Sequence, residues 1–540
     1  MTLVSTRQPL AEGDVLVGFN GYLRSDDESR PEEIVHDRYT EHGTGFVDRL
    51  VGNFRVAVYD AEREHLIIAT DRPGNQPIHY TTGGDDFHFA SHISPLLALP
   101  GIGALNTDAV RRYLRSWPVG YSNPETLVNG VARMAPSQRV TVSGGAVHAD
   151  TYWTPFTDSK RQVSDAAAVD RIEAALTDAV DAALDHHGDT PNLLFSGGLD
   201  SSLLAAILQD RAGSVNTYTH GYRGQTLETA KRRAERLGTS HHEVRWDGRL
   251  PTPDEIWELE VAGPLAPFYN TYRDVAAFDE DAYFSGLPAT VPFPVGLEKI
   301  RKIGRLRAVG RTGRKVLGRV LSASASVARH AGVISGKTCN DLWNGSDLVA
   351  APSQTVAATR PMTVNPRTFG VETGYGLERR LAERSDTVAT RLDAAVVELE
   401  LRERVQRWAA CHTNRIRHYN VFCDPRLLEF TYSLPMRQVQ ERRLERMLAR
   451  RYLPAEMAEA EPGGLAEVAE TYRALIRRNR DEFDQTLTRF RGRGILDNPY
   501  TGPEDSDFPE MVFHRVNLYV MEKWLQTFMD RDTPWEHPSS

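Results

Sequence analysis

The segment Ser196-Gly197-Gly198-Leu199-Asp200-Ser201 gathers two glycines, a carboxylate and two hydroxyls between the apolar run 192–195 and the apolar stretch 201–210. A strand, a tight turn and a helix in succession leave backbone N–H groups unpaired at the positive end of a helix dipole, where they grip an anion. Gly197 and Gly198 let that anion approach the backbone, Ser196 and Ser201 add hydroxyl donors, and Asp200 is placed to hold Mg2+ directly or through water. The plain alternative is a strand-to-helix turn capped by serines, but two glycines, an acid and neighbouring hydroxyls at one junction favour a phosphate cradle. The loop lacks the lysine and the spacing of GxxxxGK[ST], so phosphoryl transfer of that kind is disfavoured.

The elements that must position this loop follow from periodicity. Residues 164–245 alternate helical and apolar extended stretches: a helix over 166–186, a strand over 192–195, a helix over 201–210, a strand over 215–219, a helix over 228–237 closed by Gly238, and the strand HHEVRW. That alternation predicts βαβ units and a parallel sheet. Residues 14–150 read instead as short strands, VLVGFNGYL, FRVAVYD, HLIIATD, PIHYTT, FHFAS and RVTVSGG, with helices near Ser94 and over 107–114. The expected fold class is therefore α/β. Residues 298–330 form a basic, Gly-punctuated stretch read as a solvated face rather than an anion surface. Residues 340–370 have few periodic features and read as an insertion, while 377–412 and 415–480 are helix-rich.

A chain of 540 residues exceeds one ordinary core, so two or three domains are expected. With 40% hydrophobic and 25% charged residues it falls outside the disordered range. A net charge of −9 disfavours nonspecific nucleic-acid binding. Cys339, Cys411 and Cys423 make neither a CxxC pair nor an even disulfide framework, which suits a reducing compartment. Neither a signal peptide nor a long apolar span is evident, so a cytoplasmic protein without membrane contact is expected.

SGGLDSS resembles the pyrophosphate loop of the ATP-pyrophosphatase group, and its surroundings resemble the asparagine synthetase family. NTYTHGY followed by ETAKRRAERLGTSHHEV is similar to that family's second strand and its following helix-strand unit. LVGNFRVAVYD, ATDRPGNQPIHY, FASHISPLL, ETLVNGVARMAPSQRV and DTYW resemble its glutaminase half, in order. The resemblance implies a truncated N-terminal αββα sandwich of the Ntn-hydrolase type over residues 1–155. Over 164–535 it implies a parallel-sheet ATP-pyrophosphatase domain of the adenine nucleotide α-hydrolase type, with a helical C-terminal part. It further implies an amide-forming ligase of asparagine-biosynthesis type that binds ATP and Mg2+ and releases AMP and pyrophosphate. A small-molecule carboxylate and an amine or ammonia are the implied substrates; a homodimer or a separate amine-supplying subunit stays open.

The resemblance also nominates residues. Ser196, Gly197, Gly198, Leu199, Asp200 and Ser201 would bind the nucleotide, with Asp200 on the metal. His220 and Leu193 or Leu194 would meet the nucleobase, although His220 reads equally as a satisfied semi-buried histidine. Ser285 and Gly286 end a strand at the site. ERRLERMLARRYLP resembles the segment whose lysine stabilises the acyl-adenylate, putting Glu441 or Arg442 there, of which only Arg442 carries the needed charge. Arg442 as a solvated residue of an Arg-rich helix is the competing reading.

Departures from the family pattern are equally specific. The chain begins Met1-Thr2 where a glutamine-dependent member has a cysteine after Met removal, Tyr22 replaces an acid in NGY, and Pro31 stands where an aspartate is expected. Leu287-Pro288-Ala289-Thr290 replaces acidic residues, and Arg417 falls where a glutamate is expected, with Asp424 matching. Glutaminase activity is accordingly expected to be lost, and a nucleotide-binding pseudoenzyme with a regulatory or assembly role is the rival reading.

Overall fold

The computed structural model describes residues 9–293 and 417–538, except 26, 82–85, 117–125, 156, 158, 188–189, 222–224, 246–248, 259–279, 281, 287–288, 460–464, 497–508 and 537. The stretches 298–330, 340–370 and 377–412 lie outside the described residues, as do Met1 and Thr2.

Alternating apolar residues build two antiparallel sheets in the first half. In chain order the elements are β1 (Leu10–Glu12), β2 (Val15–Leu23), α1 (Pro31–His42), β3 (Gly52–Asp60), β4 (His65–Thr70), β5 (His79–Thr81), β6 (Phe89–Ala90), α2 (Ser94–Leu97), α3 (Thr107–Ser116), β7 (Val131–Arg133), β8 (Gln138–Ser143) and β9 (Ala146–Thr151). The larger sheet runs β1-β2-β3-β4-β8-β9 and the smaller β6-β5-β7. On one face of the larger sheet Val17, Phe19, Phe54, Val56 and Val58 pack on Ile34, Val35 and Tyr39 of α1. Ala57, Leu66 and Ile68 point to the other face and meet Ile78, Tyr80 and Ala132 of the smaller sheet, as period-two alternation requires.

Helix α1 was not anticipated from periodicity. Its start is set by terminal chemistry instead: Pro31 occupies the first turn, and Glu33 reaches back to accept from the Arg30 backbone N–H at 3.1 Å.

The second half contains α4 (Asp165–His187), β10 (Asn192–Leu194), α5 (Leu199–Ala212), β11 (Asn216–Gly221), α6 (Gln225–Leu237), β12 (Ser240–Arg245), α7 (Pro253–Glu258), β13 (Ala282–Ser285) and β14 (Arg417–Tyr419). The helices α8 (Pro425–Tyr432), α9 (Met436–Val439), α10 (Arg443–Tyr452), α11 (Ala455–Ala458), α12 (Leu465–Arg478), α13 (Arg480–Gly492) and α14 (Pro509–Phe528) follow. The five strands form a parallel sheet in the order β12-β11-β10-β13-β14. Successive crossovers therefore run to one side of β10 and then jump to the other, making a topological switch point at the carboxyl ends of β10 and β13. Leu203, Leu204, Ile207 and Leu208 of α5 are fully buried against α4, the sheet and α10, each worth about 2–5 kcal/mol on truncation to alanine.

The two halves are stitched by polar and aromatic contacts. Arg24 pairs with Asp424 and donates to the Asp178 carbonyl at 3.0 Å; Asn420 donates to Asn75 Oδ1 at 2.8 Å; Lys160 donates to the Tyr432 carbonyl at 2.7 Å. Asn75 in turn donates from its backbone and side chain to the fully buried Asp71 carboxyl, at 2.7 and 2.9 Å. Tyr22 stacks on His186 at 4.3 Å and leans on Tyr419, packing against the core of the second half. Helix α3 likewise buries Ala109, Val110 and Leu114 with Tyr472, Val516 and Trp524 of the C-terminal helices.

Candidate nucleotide-binding site

The loop between β10 and α5 lies at the switch point. Phe195 continues from β10, its N–H donating to the Tyr218 carbonyl at 2.8 Å, and its own carbonyl accepts from Thr219 Oγ1. Gly197 then takes φ +68°, and a Cβ there would lie 3.0 Å from the Ala230 Cα of α6, so neither the conformation nor the space admits a side chain. Gly198 caps α5 without a side chain, leaving the N–H groups of Leu199, Asp200 and Ser201 outside the intrahelical ladder, whose first bond runs from Ser202 N–H to the Gly198 carbonyl at 3.0 Å. Ser196 Oγ lies 3.2 Å from Ser201 Oγ and accepts from Gly198 N–H at 3.2 Å, so both hydroxyls line the turn.

Three segments distant in sequence close on this turn. Ser285 ends β13 as a buried residue, and Gly286 presses onto α5 so closely that a Cβ would meet Ser201 N at 2.9 Å and Asp200 Cβ at 3.0 Å. From the C-terminal helices Arg442 forms an ion pair with Asp200. Its backbone and that of Glu441 sit in the left-handed region, φ 61° and 55°, which turns the chain so that Arg442 faces the loop before α10 begins. The solvated alternative for Arg442 is thereby excluded: its side chain is 8% exposed. From α6, Arg233 donates to the Gly197 carbonyl.

Sequence reasoning missed Glu445. It is fully buried and takes both Arg442 Nε at 2.7 Å and Nη2 at 3.2 Å. Burial pushes its carboxyl up, and the Arg442 guanidinium draws it back down. The signal was present as an Arg and a Glu three apart at the start of a helix. Arg233 left no such trace, being one arginine among several in ETAKRRAERLG.

Other nominated residues fall elsewhere. Leu193 is fully buried in the core and Leu199 is 2% exposed, so Leu199 can serve the loop through its backbone N–H alone. His220 extends β11 opposite Val244, and its side chain lies outside the described residues. Arg417 opens β14 beside Ala282, at the sheet edge opposite the loop, and donates to the His186 carbonyl at 3.2 Å; its substitution for an acid removes nothing from the turn itself. Asp424 caps α8, accepting from Arg426 N–H at 2.9 Å. Among the described residues no group of three His, Cys, Asp or Glu side chains is disposed around a metal position. Asp200 alone fits a Mg2+ arriving on a polyphosphate, since that ion commonly takes one or two protein carboxylates and completes its shell with phosphate and water.

Fold and site together define a mixed α/β protein with a glycine-containing turn and a helix N-terminus at the switch point of a parallel sheet, joined to an antiparallel half. Residues 14–153 match the glutamine amidotransferase domain, and residues 171–258, which carry the loop, match asparagine synthase. Asparagine synthetase [glutamine-hydrolyzing] 3 of Bacillus subtilis is 30% identical over 244 residues, covering 40% of this chain and 39% of that protein. A putative asparagine synthetase of Mycobacterium tuberculosis H37Rv is 29% identical over 297 residues (49% and 45%), and carboxyethyl-arginine beta-lactam-synthase of Streptomyces clavuligerus 26% over 271 (47% and 48%). The chain spans less than half the length of each of these relatives. A solved glutamine phosphoribosylpyrophosphate amidotransferase from B. subtilis aligns at 14% identity with a TM-score of 0.18, covering 45% of this chain and 51% of that one, a likeness too slight to carry weight. Over these segments the chain is similar to proteins of the asparagine synthetase family. No described helix is long and apolar enough to cross a membrane.

Proposed function

We propose that the chain is an ATP-dependent amide-forming ligase whose glutaminase activity is lost. The observation that carries the reading is the strand-turn-helix cradle at 196–201, with Asp200 and Arg442 meeting on it. A substrate carboxylate oxygen attacks the α-phosphorus of ATP, the α–β phosphoanhydride bond breaks, and pyrophosphate leaves. An amine or ammonia then attacks the acyl carbon, AMP departs, and the nitrogen gives up a proton. Asp200 would hold a Mg2+ bound with the triphosphate, and that ion would supply charge neutralisation at the departing pyrophosphate. The N–H groups of Leu199, Asp200 and Ser201 with the Ser196 and Ser201 hydroxyls bind the phosphates, Ser285 and Gly286 back the turn, and of the two leucines the partly buried Leu194, with His220, borders the nucleobase. Arg442 supplies fixed positive charge and no base, because a guanidinium stays protonated.

In this reading the first half is an Ntn-type sandwich retained as scaffold. Support comes from Tyr22, which buries its ring against His186 and the second half rather than presenting a carboxylate. Small-molecule carboxylate and amine are the substrates, with a cytoplasmic setting.

The test is ATP–pyrophosphate exchange across a panel of carboxylates, comparing wild type with Asp200→Ala. Exchange is expected to fall about 100-fold or more in the variant; unchanged exchange refutes the part given to Asp200. A nucleotide-binding pseudoenzyme is the second reading, favoured by the engagement of Asp200 with Arg442. ATP binding without exchange on any carboxylate supports it.

A further inference from the structure

We infer that Arg233 is a second phosphate-binding cation of this site, gripping the β- and γ-phosphates and the departing pyrophosphate from the α6 side. The inference rests on the nucleotide reading of the loop and adds to it a residue from α6, which contributes no other polar group to the turn among the described residues.

Its basis is the way α6 lies on the loop. Ala230 and Arg233 are three apart and so share a helical face. Ala230 is fully buried and gives Gly197 the room for its left-handed turn, while Arg233 reaches past it to the Gly197 carbonyl. That bond occupies one of five guanidinium donors, and no carboxylate forms an ion pair with Arg233 among the described residues. Glu456, which acts on it electrostatically, is paired with the neighbouring Arg236 at 2.9 Å. Partial burial and the adjacent Arg232 both weaken the hold of Arg233 on its proton.

Arg442 is in the opposite condition. It is already engaged in ion pairs with Asp200 and Glu445. Beside the loop amides and Arg442, Arg233 therefore offers an incoming polyphosphate a positive charge that no carboxylate among the described residues engages in an ion pair. A planar fork beside a turn of exposed N–H groups suits a phosphate better than an ammonium would.

The experiment measures Mg-ATP, pyrophosphate and AMP binding to the full chain by calorimetry, for wild type, Arg233→Met and Arg233→Lys. Arg233→Met is expected to weaken ATP and pyrophosphate about 10- to 100-fold and AMP less than about threefold, with Arg233→Lys between the two. Equal weakening of AMP means that the turn itself has collapsed and overturns the assignment, as does ATP affinity unchanged in both variants. If wild type binds AMP and ATP equally well and Arg233→Met changes neither, Arg233 is refuted while the nucleotide site stands. If wild type binds no nucleotide, the loop reading fails and this assignment with it.

Discussion

Arg442 and Glu445 form a buried charge pair whose strength can be worked from its geometry. Glu445 is fully buried, the Arg442 side chain is 8% exposed, and two hydrogen bonds of 2.7 and 3.2 Å join them. A charge-assisted bond is worth about 1.5–3 kcal/mol, and removing one partner of a buried pair costs about 3–5 kcal/mol because the other charge is stranded. The pair also holds two residues in the left-handed region, each about 1–2 kcal/mol above a helical conformation. Glu445→Gln keeps the shape and one acceptor but deletes the charge, so a loss of about 2–3 kcal/mol is expected; Arg442→Met leaves Glu445 unpaired and costs at least as much. The double variant should lose less than the sum by about 1–3 kcal/mol, as for residues in one network. Urea midpoints followed by tryptophan fluorescence give the four values, with the m-value checked for constancy. A coupling below about 0.5 kcal/mol would show that the two side chains act independently and refute the claim that Glu445 holds Arg442 on the loop.

Gly197→Ala meets both a φ of +68° and the Ala230 Cα at 3.0 Å, so a loss of about 1–3 kcal/mol is expected, with ATP affinity at least tenfold weaker. Wild-type stability together with wild-type ATP affinity in that variant would contradict the turn geometry. Burial pushes the Asp71 carboxyl up to about 7. Because the folded value lies above the unfolded one of about 3.9, its contribution is complete below about pH 4 and is lost as pH rises through about 7, about 4 kcal/mol at most. Asp71→Asn should lower stability at acid pH, where one acceptor is gone, yet flatten the decline between about pH 4 and 7. An unaltered pH slope in denaturant midpoints would remove Asp71 as its source.

The loop was legible from the chain because its chemistry is local: glycines, hydroxyls and an acid crowded at one strand-helix junction need no partner to be noticed. The parallel sheet was legible for the same reason, since α4 and α6 carry their own apolar periodicity and α5 a nearly continuous apolar run. What escaped was set by terminal chemistry or by distance. Helix α1 is short and weakly amphipathic, and its evidence lies in Pro31 and Glu33 rather than in a repeating pattern. Strands β1, β7 and β9 are short or exposed edges with little alternation to read. The meanings of Arg233, Glu445 and Arg417 depend on which end of the sheet each one reaches. Arg417 looked like a lost acid at the site, but it occupies the far edge, because strand direction, which places it, has no signature in the residues themselves.

Gly197 rests on α6, Gly286 rests on α5, and Asp200 meets a residue more than two hundred positions along the chain. Local helices and the β10 turn can form early, yet the pocket they border has no walls until β13 and the segment before α10 have docked. Contacts of such long sequence separation form slowly, because the intervening chain must first be confined. On the proposed reading, the site at 196–201 is complete only once these distant segments have docked, and nucleotide capture would report the finished molecule rather than any part of it.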